Sequence, residues 1–130
     1  MNLLLDTHIL VWALVNTDRL NDRTRALLSN ENNMLWYSPV TSIEIAIKNS
    51  TGRHAHLMNL SDFDDACERA GLVELPLSTS AARALEALPL HHRDPFDRML
   101  VAQATAAGMV LLTADTQMPR YGRVIEYVGP

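Results

Sequence analysis

Leu3-Leu4-Leu5-Asp6-Thr7-His8-Ile9-Leu10-Val11-Trp12-Ala13-Leu14-Val15 is the stretch that decides how this chain folds. The three leucines make a short apolar run suited to a buried strand, and Asp6 closes it. Thr7 to Val15 then has the character of a buried helix. Ile9 to Val15 is apolar throughout, but a membrane span needs about 20 such residues. A strand running straight into a helix is the opening of a crossover unit, the connection by which parallel strands are joined.

The same alternation continues outward. Asn21 or Asp22 can cap a helix running to about Asn30, and Met34 to Tyr37 suits a strand. Pro39 breaks that pattern, Thr41 to Ser50 has helical spacing, and Gly52 suits a left-handed helix end. Ser61 or Asp62 starts a helix through Ala70, Gly71 stops it, and Leu72 to Leu75 reads as a strand before Pro76. Ser78 to Leu88 is helical and closed by Pro89, while Asp94-Pro95 opens a helix to Ala107 with Gly108 as its cap. Met109 to Thr113 is a buried strand and Val124 to Val128 another. Strands separated by helices predict an α/β sandwich with a central, mainly parallel sheet of four to five strands flanked by helices.

No repeat, low-complexity tract or Gly/Ser linker divides the 130 residues, so one domain spanning 1–130 is expected. With 48% hydrophobic and 20% charged residues the composition is that of a globular protein, and the lone Cys67 forms no internal disulfide. The N-terminus has no basic region and meets Asp6 before a signal-like apolar run develops, so a cytoplasmic protein without a membrane segment is expected. The net charge of −4 argues against a nucleic-acid binder. That conflict softens if the acids gather in one cation-filled pocket flanked by Lys48, Arg53, Arg93 and Arg98.

In open α/β sheets, sites form beyond the carboxyl ends of the strands. Asp6 and Asp115 follow strands, and Glu44 and Asp97 fall in first turns of the expected helices. Two carboxylates about 4 Å apart repel by roughly 4 kcal/mol at an effective dielectric of 20, so a cluster of them needs cations. Hard oxygen ligands select Mg²⁺ or Mn²⁺. Each acid also has a structural reading. Thr41-Ser42-Ile43-Glu44 fits a capping box, Asp94 fits an N-cap with Pro95 behind it and Asp97 in the third helical position, and Asp115 fits a turn. Asp6 is hardest to explain away, because an acid between two apolar elements faces desolvation unless it caps or binds something.

Four segments also carry a resemblance: Leu3-Leu4-Leu5-Asp6-Thr7-His8, Thr41-Ser42-Ile43-Glu44-Ile45-Ala46-Ile47-Lys48, Arg93-Asp94-Pro95-Phe96-Asp97-Arg98-Met99-Leu100-Val101-Ala102-Gln103-Ala104 and Leu111-Leu112-Thr113-Ala114-Asp115. In this order they resemble the motifs of PIN-domain ribonucleases, in particular VapC-type toxins of toxin–antitoxin pairs. The resemblance implies a three-layer α/β fold, Mg²⁺- or Mn²⁺-dependent endoribonuclease activity, and a metal site of Asp6, Glu44, Asp97 and Asp115. Asp97 is preferred over Asp94 because it directly precedes the apolar stretch, as the family's acid does. Ala114 departs from the Arg or Asn that many relatives have before the fourth acid. The resemblance also implies an RNA substrate, a homodimer, and an antitoxin whose segment occludes the acidic pocket.

On this reading metal-activated water attacks the phosphodiester and leaves 5′-phosphate and 3′-hydroxyl ends. Thr7 and Thr113 are candidates to orient ligands or water, and Lys48, Arg53 and Arg98 are candidates for substrate phosphates, although solvated surface charge is the commoner role. His8 reads as a hydrogen-bonded scaffold residue. His54, His56, His91 and His92 read as loop residues, since no zinc spacing accompanies them. Trp12 and Trp36 read as core rather than base-stacking residues. Two rivals stand: a phosphohydrolase using Asp6 as covalent nucleophile, although His8 occupies the place of the usual second acid, and a non-catalytic interaction domain whose acids merely cap helices.

Overall fold

The computed structural model describes residues 1–52 and 58–129; Arg53, His54 and His56 lie outside them. Strands β1 (Asn2–Leu5), β2 (Met34–Tyr37), β3 (Val73–Glu74), β4 (Val110–Thr113) and β5 (Ile125–Tyr127) alternate with helices α1 (Thr7–Val15), α2 (Asp22–Ser29), α3 (Pro39–Thr51), α4 (Leu60–Arg69), α5 (Thr79–Ala87) and α6 (Pro95–Ala107). All pairings are parallel, in the order β3-β2-β1-β4-β5. The chain moves outward from β1 to β3 and then returns to place β4 on the other side of β1. The order therefore reverses at the carboxyl ends of β1 and β4, where an open α/β sheet forms its crevice.

Successive side chains of a strand face opposite layers, and the leucines of β1 divide accordingly. Leu3 and Leu5 pack with Ile9 and Leu10 of α1 and with Phe63 and Cys67 of α4. Leu4, between them, packs with Leu111 and with Leu100, Val101 and Ala104 of α6. The result is the three-layer sandwich expected from the sequence, with an apolar core on each face of the sheet.

Helix α3 departs from expectation. Ser38 is its N-cap, accepting from the Val40 amide at 3.0 Å, and Pro39 is its first residue. Pro39 starts the helix because its fixed φ and missing N–H suit the first turn. Thr41 is therefore inside the helix, and Glu44 is too far along to close a capping box. Helix α4 likewise begins early, with Asn59 as cap. Two 3-10 segments, Thr17–Arg19 and Met118–Val124, add to the elements expected from sequence. No described helix is long and apolar enough to cross a membrane.

Candidate metal centre at the carboxyl end of the sheet

Asp6 follows β1 and caps α1. Its Oδ1 accepts from the Ile9 amide at 2.9 Å, and its other oxygen accepts a hydrogen bond from the Thr113 hydroxyl at the end of β4. Thr113 in turn accepts from the Asp115 amide at 3.1 Å. The two central strands thus fix both acids through one threonine. Thr7, at the start of α1, donates to Glu44 Oε1 at 2.9 Å and lies 3.1 Å from the Thr41 hydroxyl, which ties α1 to α3. Lys48, one turn beyond Glu44, pairs with its Oε2 at 2.9 Å. The threonines orient carboxylates, and Lys48 is already engaged.

Asp94 caps α6, with Oδ1 accepting from the Phe96 amide at 2.8 Å and the Asp97 amide at 3.2 Å. This leaves the Asp97 carboxylate free of capping. It meets Asp115 and His92 in a group whose ligating atoms all lie within 4.8 Å of one another. His92 Nε2 is 2.9 Å from Asp115 Oδ2 and 3.3 Å from Asp97 Oδ2. The second oxygen of Asp115 accepts from the Gln117 amide at 2.8 Å, so the turn expected there is real and coexists with the cluster.

Expectation and structure differ at His92, which is 9% exposed and central to the cluster instead of solvated. Its one sequence signal is its place two residues before the Asp94 cap. His8 is exposed and packs 5.9 Å from the Trp12 ring, and its side chain makes no hydrogen bond among the described residues. Trp12 and Trp36 are partly buried against the two cores, with Arg19 stacked 5.4 Å from the Trp12 ring.

Arg98 is not placed for a phosphate. Its guanidinium donates to the Pro89 carbonyl at 2.9 Å, the Tyr121 hydroxyl at 3.2 Å and the Leu88 carbonyl at 3.3 Å. It therefore braces the segment that carries His92. Arg98→Met is expected to lower unfolding stability by about 1–2 kcal/mol, as loss of charge-assisted hydrogen bonds usually does. Urea melts check this, and an unchanged midpoint would count against the bracing role.

The electrostatics report a shortage of positive charge. Burial raises the Asp6 carboxyl above its usual range, opposed by the Ile9 amide and the Thr113 hydroxyl, while Asp115 adds to the rise. Asp97 is pushed up to about 7, first by burial and then by Asp94 and Asp6, with a smaller contribution from Glu44. Asp97 thus senses Asp6 and Glu44, and Asp6 senses Asp115, although only Asp97 and Asp115 share the tight group with His92. A donor set of carboxylate oxygens with excess negative charge is chemically fitted to a hard divalent cation.

The PIN domain family model matches residues 3–124. The chain belongs to the PIN-domain family. Solved structures of similar fold include VapBC2 from Rickettsia felis bound to a promoter DNA fragment, at 20% identity and TM-score 0.73 with 98% of each chain covered. VapBC from Salmonella typhimurium bound to DNA aligns at 20% identity and TM-score 0.64, with 98% of each chain covered. VapBC-5 from Mycobacterium tuberculosis aligns at 17% identity and TM-score 0.62, covering 99% of this chain and 98% of that one. At these identities the likeness is one of PIN fold. No curated protein matches the chain by sequence.

Proposed function

We propose that this PIN domain is a Mg²⁺- or Mn²⁺-dependent endoribonuclease and the toxin of a toxin–antitoxin pair. The observation that carries the nuclease reading is the meeting of Asp97 and Asp115 within 4.8 Å, in a crevice where Asp97 also senses Asp6 and Glu44. Asp6, Glu44, Asp97 and Asp115 would hold the cation. A bound divalent ion supplies acidified water and neutralises charge on a phosphate. The chain's own part is preorganisation: Thr113 and the Ile9 amide fix Asp6, Thr7 fixes Glu44, and Lys48 balances the Glu44 charge. Burial of Asp6 and Glu44 keeps water from screening these charges.

The rivals fare worse on specific contacts. A covalent phosphohydrolase wants a second acid two residues after Asp6, and the exposed His8 stands there. An interaction domain whose acids merely cap helices accounts for Asp94 and half of Asp6, but Glu44 and Asp97 cap nothing. The toxin role and the antitoxin partner are supported by the likeness to VapBC proteins, a family described as toxin–antitoxin systems; a homodimer is carried by the family resemblance alone.

Purified protein free of antitoxin is expected to cut structured RNA with Mg²⁺ or Mn²⁺, to leave 5′-phosphate and 3′-hydroxyl ends, and to stop in EDTA. Cutting that survives EDTA would defeat the metal mechanism. Absence of both cutting and ion binding would favour an interaction domain.

A further inference from the structure

The hydrogen bonds of His92 divide its ring into an acceptor side and a donor side. Nδ1 lies 3.0 Å from the Asp94 backbone nitrogen. An amide N–H only donates, so Nδ1 must present its lone pair, and the hydrogen-bond network places the ring proton on Nε2. Nε2 is the atom that faces Asp115 at 2.9 Å and Asp97 at 3.3 Å. A protonated ring nitrogen has no lone pair to give a cation.

Metal-ligating histidines have the opposite arrangement: the ring nitrogen remote from the ion donates its N–H to a carboxylate or carbonyl. Freeing Nε2 here would turn an Nδ1–H toward the Asp94 N–H. Neither side can readily move away. Asp94 is held as the N-cap of α6, and the His92 backbone amide donates to the Tyr121 hydroxyl at 3.0 Å, itself held by Arg98. With His92 only 9% exposed, water has little room to intervene.

We propose that His92 is a positioning residue of the metal centre and not one of its ligands: its Nε2–H, aimed by the Asp94 amide, holds the Asp97 and Asp115 carboxylates at the spacing from which they bind a divalent cation. This rests on the metal-nuclease reading above. A donor bonded to Asp115 and lying 3.3 Å from Asp97 Oδ2 offsets part of the carboxylates' repulsion before the ion arrives, so the site needs less rearrangement on loading. Partners of this kind commonly affect metal affinity by about ten- to a hundredfold.

The test uses the full chain with ¹⁵N-labelled histidine. NMR of the metal-free protein should find Nδ1 of His92 unprotonated and Nε2 protonated, and Mg²⁺ should leave that proton in place. Calorimetric titration should show Mg²⁺ binding weakened about tenfold or more in His92→Ala, with most of the loss recovered in His92→Gln, whose side-chain amide can donate. Should His92→Ala fail to fold, the wild-type spectra and His92→Gln still decide. An Nδ1–H tautomer, loss of the Nε2 proton on Mg²⁺ binding, or unchanged affinity in His92→Ala would overturn the proposal. Mg²⁺-dependent cutting with a deprotonated Nε2 would overturn it alone, whereas a wild-type protein that binds no Mg²⁺ would overturn the metal-nuclease reading with it.

Discussion

Asp97→Asn is expected to make the metal-free protein more stable at pH 8 while abolishing metal-dependent cutting. In the folded chain Asp97 is raised from its ordinary 3.8 to about 7, chiefly by burial and then by Asp94 and Asp6. A group whose folded pKa is raised contributes stability that is complete below the unfolded value and is lost as pH rises through the folded value. The metal-free wild type should therefore weaken between about pH 4 and pH 8, whereas the amide of the Asp97→Asn variant stays neutral. After discounting for the partial exposure of Asp97, the gain at pH 8 is about 2 kcal/mol. For a domain of this size that is roughly 6–10 °C in melting temperature. The difference should shrink toward zero near pH 4. Mg²⁺ should reverse the ranking, because only the wild type retains the ligand. Loss of a charge interaction worth about 4 kcal/mol to the reaction corresponds to a rate reduction of about a thousandfold. Thermal melts at pH 5 and pH 8, with and without Mg²⁺, check the stability arm; an Asp97→Asn variant no more stable than wild type at pH 8 would refute it.

The capping role of Asp94 is legible in the sequence because helix grammar assigns it that task. Asp-Pro at the start of a helix is an N-cap followed by a first-turn proline, which leaves the acid three residues on without one. Ser38-Pro39 follows the same grammar, yet from sequence Pro39 reads as a breaker and Thr41 as the cap. That misreading lends Glu44 a capping role that it does not have. The strand order is legible only in outline: apolar runs announce strands, but which of them flank β1 depends on crossover paths through the cores. His92 is hidden for a different reason. Its importance lies in a contact with Asp115, 23 residues away, and no local spacing encodes that contact.

Gln103→Met is expected to destabilise the chain by about 3 kcal/mol, the sum of two buried polar groups left without partners at about 1–3 kcal/mol each. Gln103 lies in an apolar stretch of α6 and is only 2% exposed, where sequence gives a polar residue no evident task. Its carbonyl accepts from the Ser38 hydroxyl, and its Nε2 donates to the Leu75 carbonyl at 2.9 Å. One side chain thus joins the cap of α3 to the segment leaving β3. Methionine keeps the volume and the helix propensity, so the loss isolates the hydrogen bonds from packing. Ser38→Ala alone should cost about 1 kcal/mol as a lost cap. The double variant should cost less than the sum of the two, since removing Ser38 also removes the hydroxyl that Gln103→Met would strand. Urea unfolding of the four proteins measures the coupling. Strict additivity would mean that Gln103 acts through Leu75 alone. Because α3 carries both Thr41 and Glu44, a weakened cap should also loosen the Thr7–Glu44 contact. The stability of this distant helix start is thereby linked to the readiness of the acidic crevice to bind its ion.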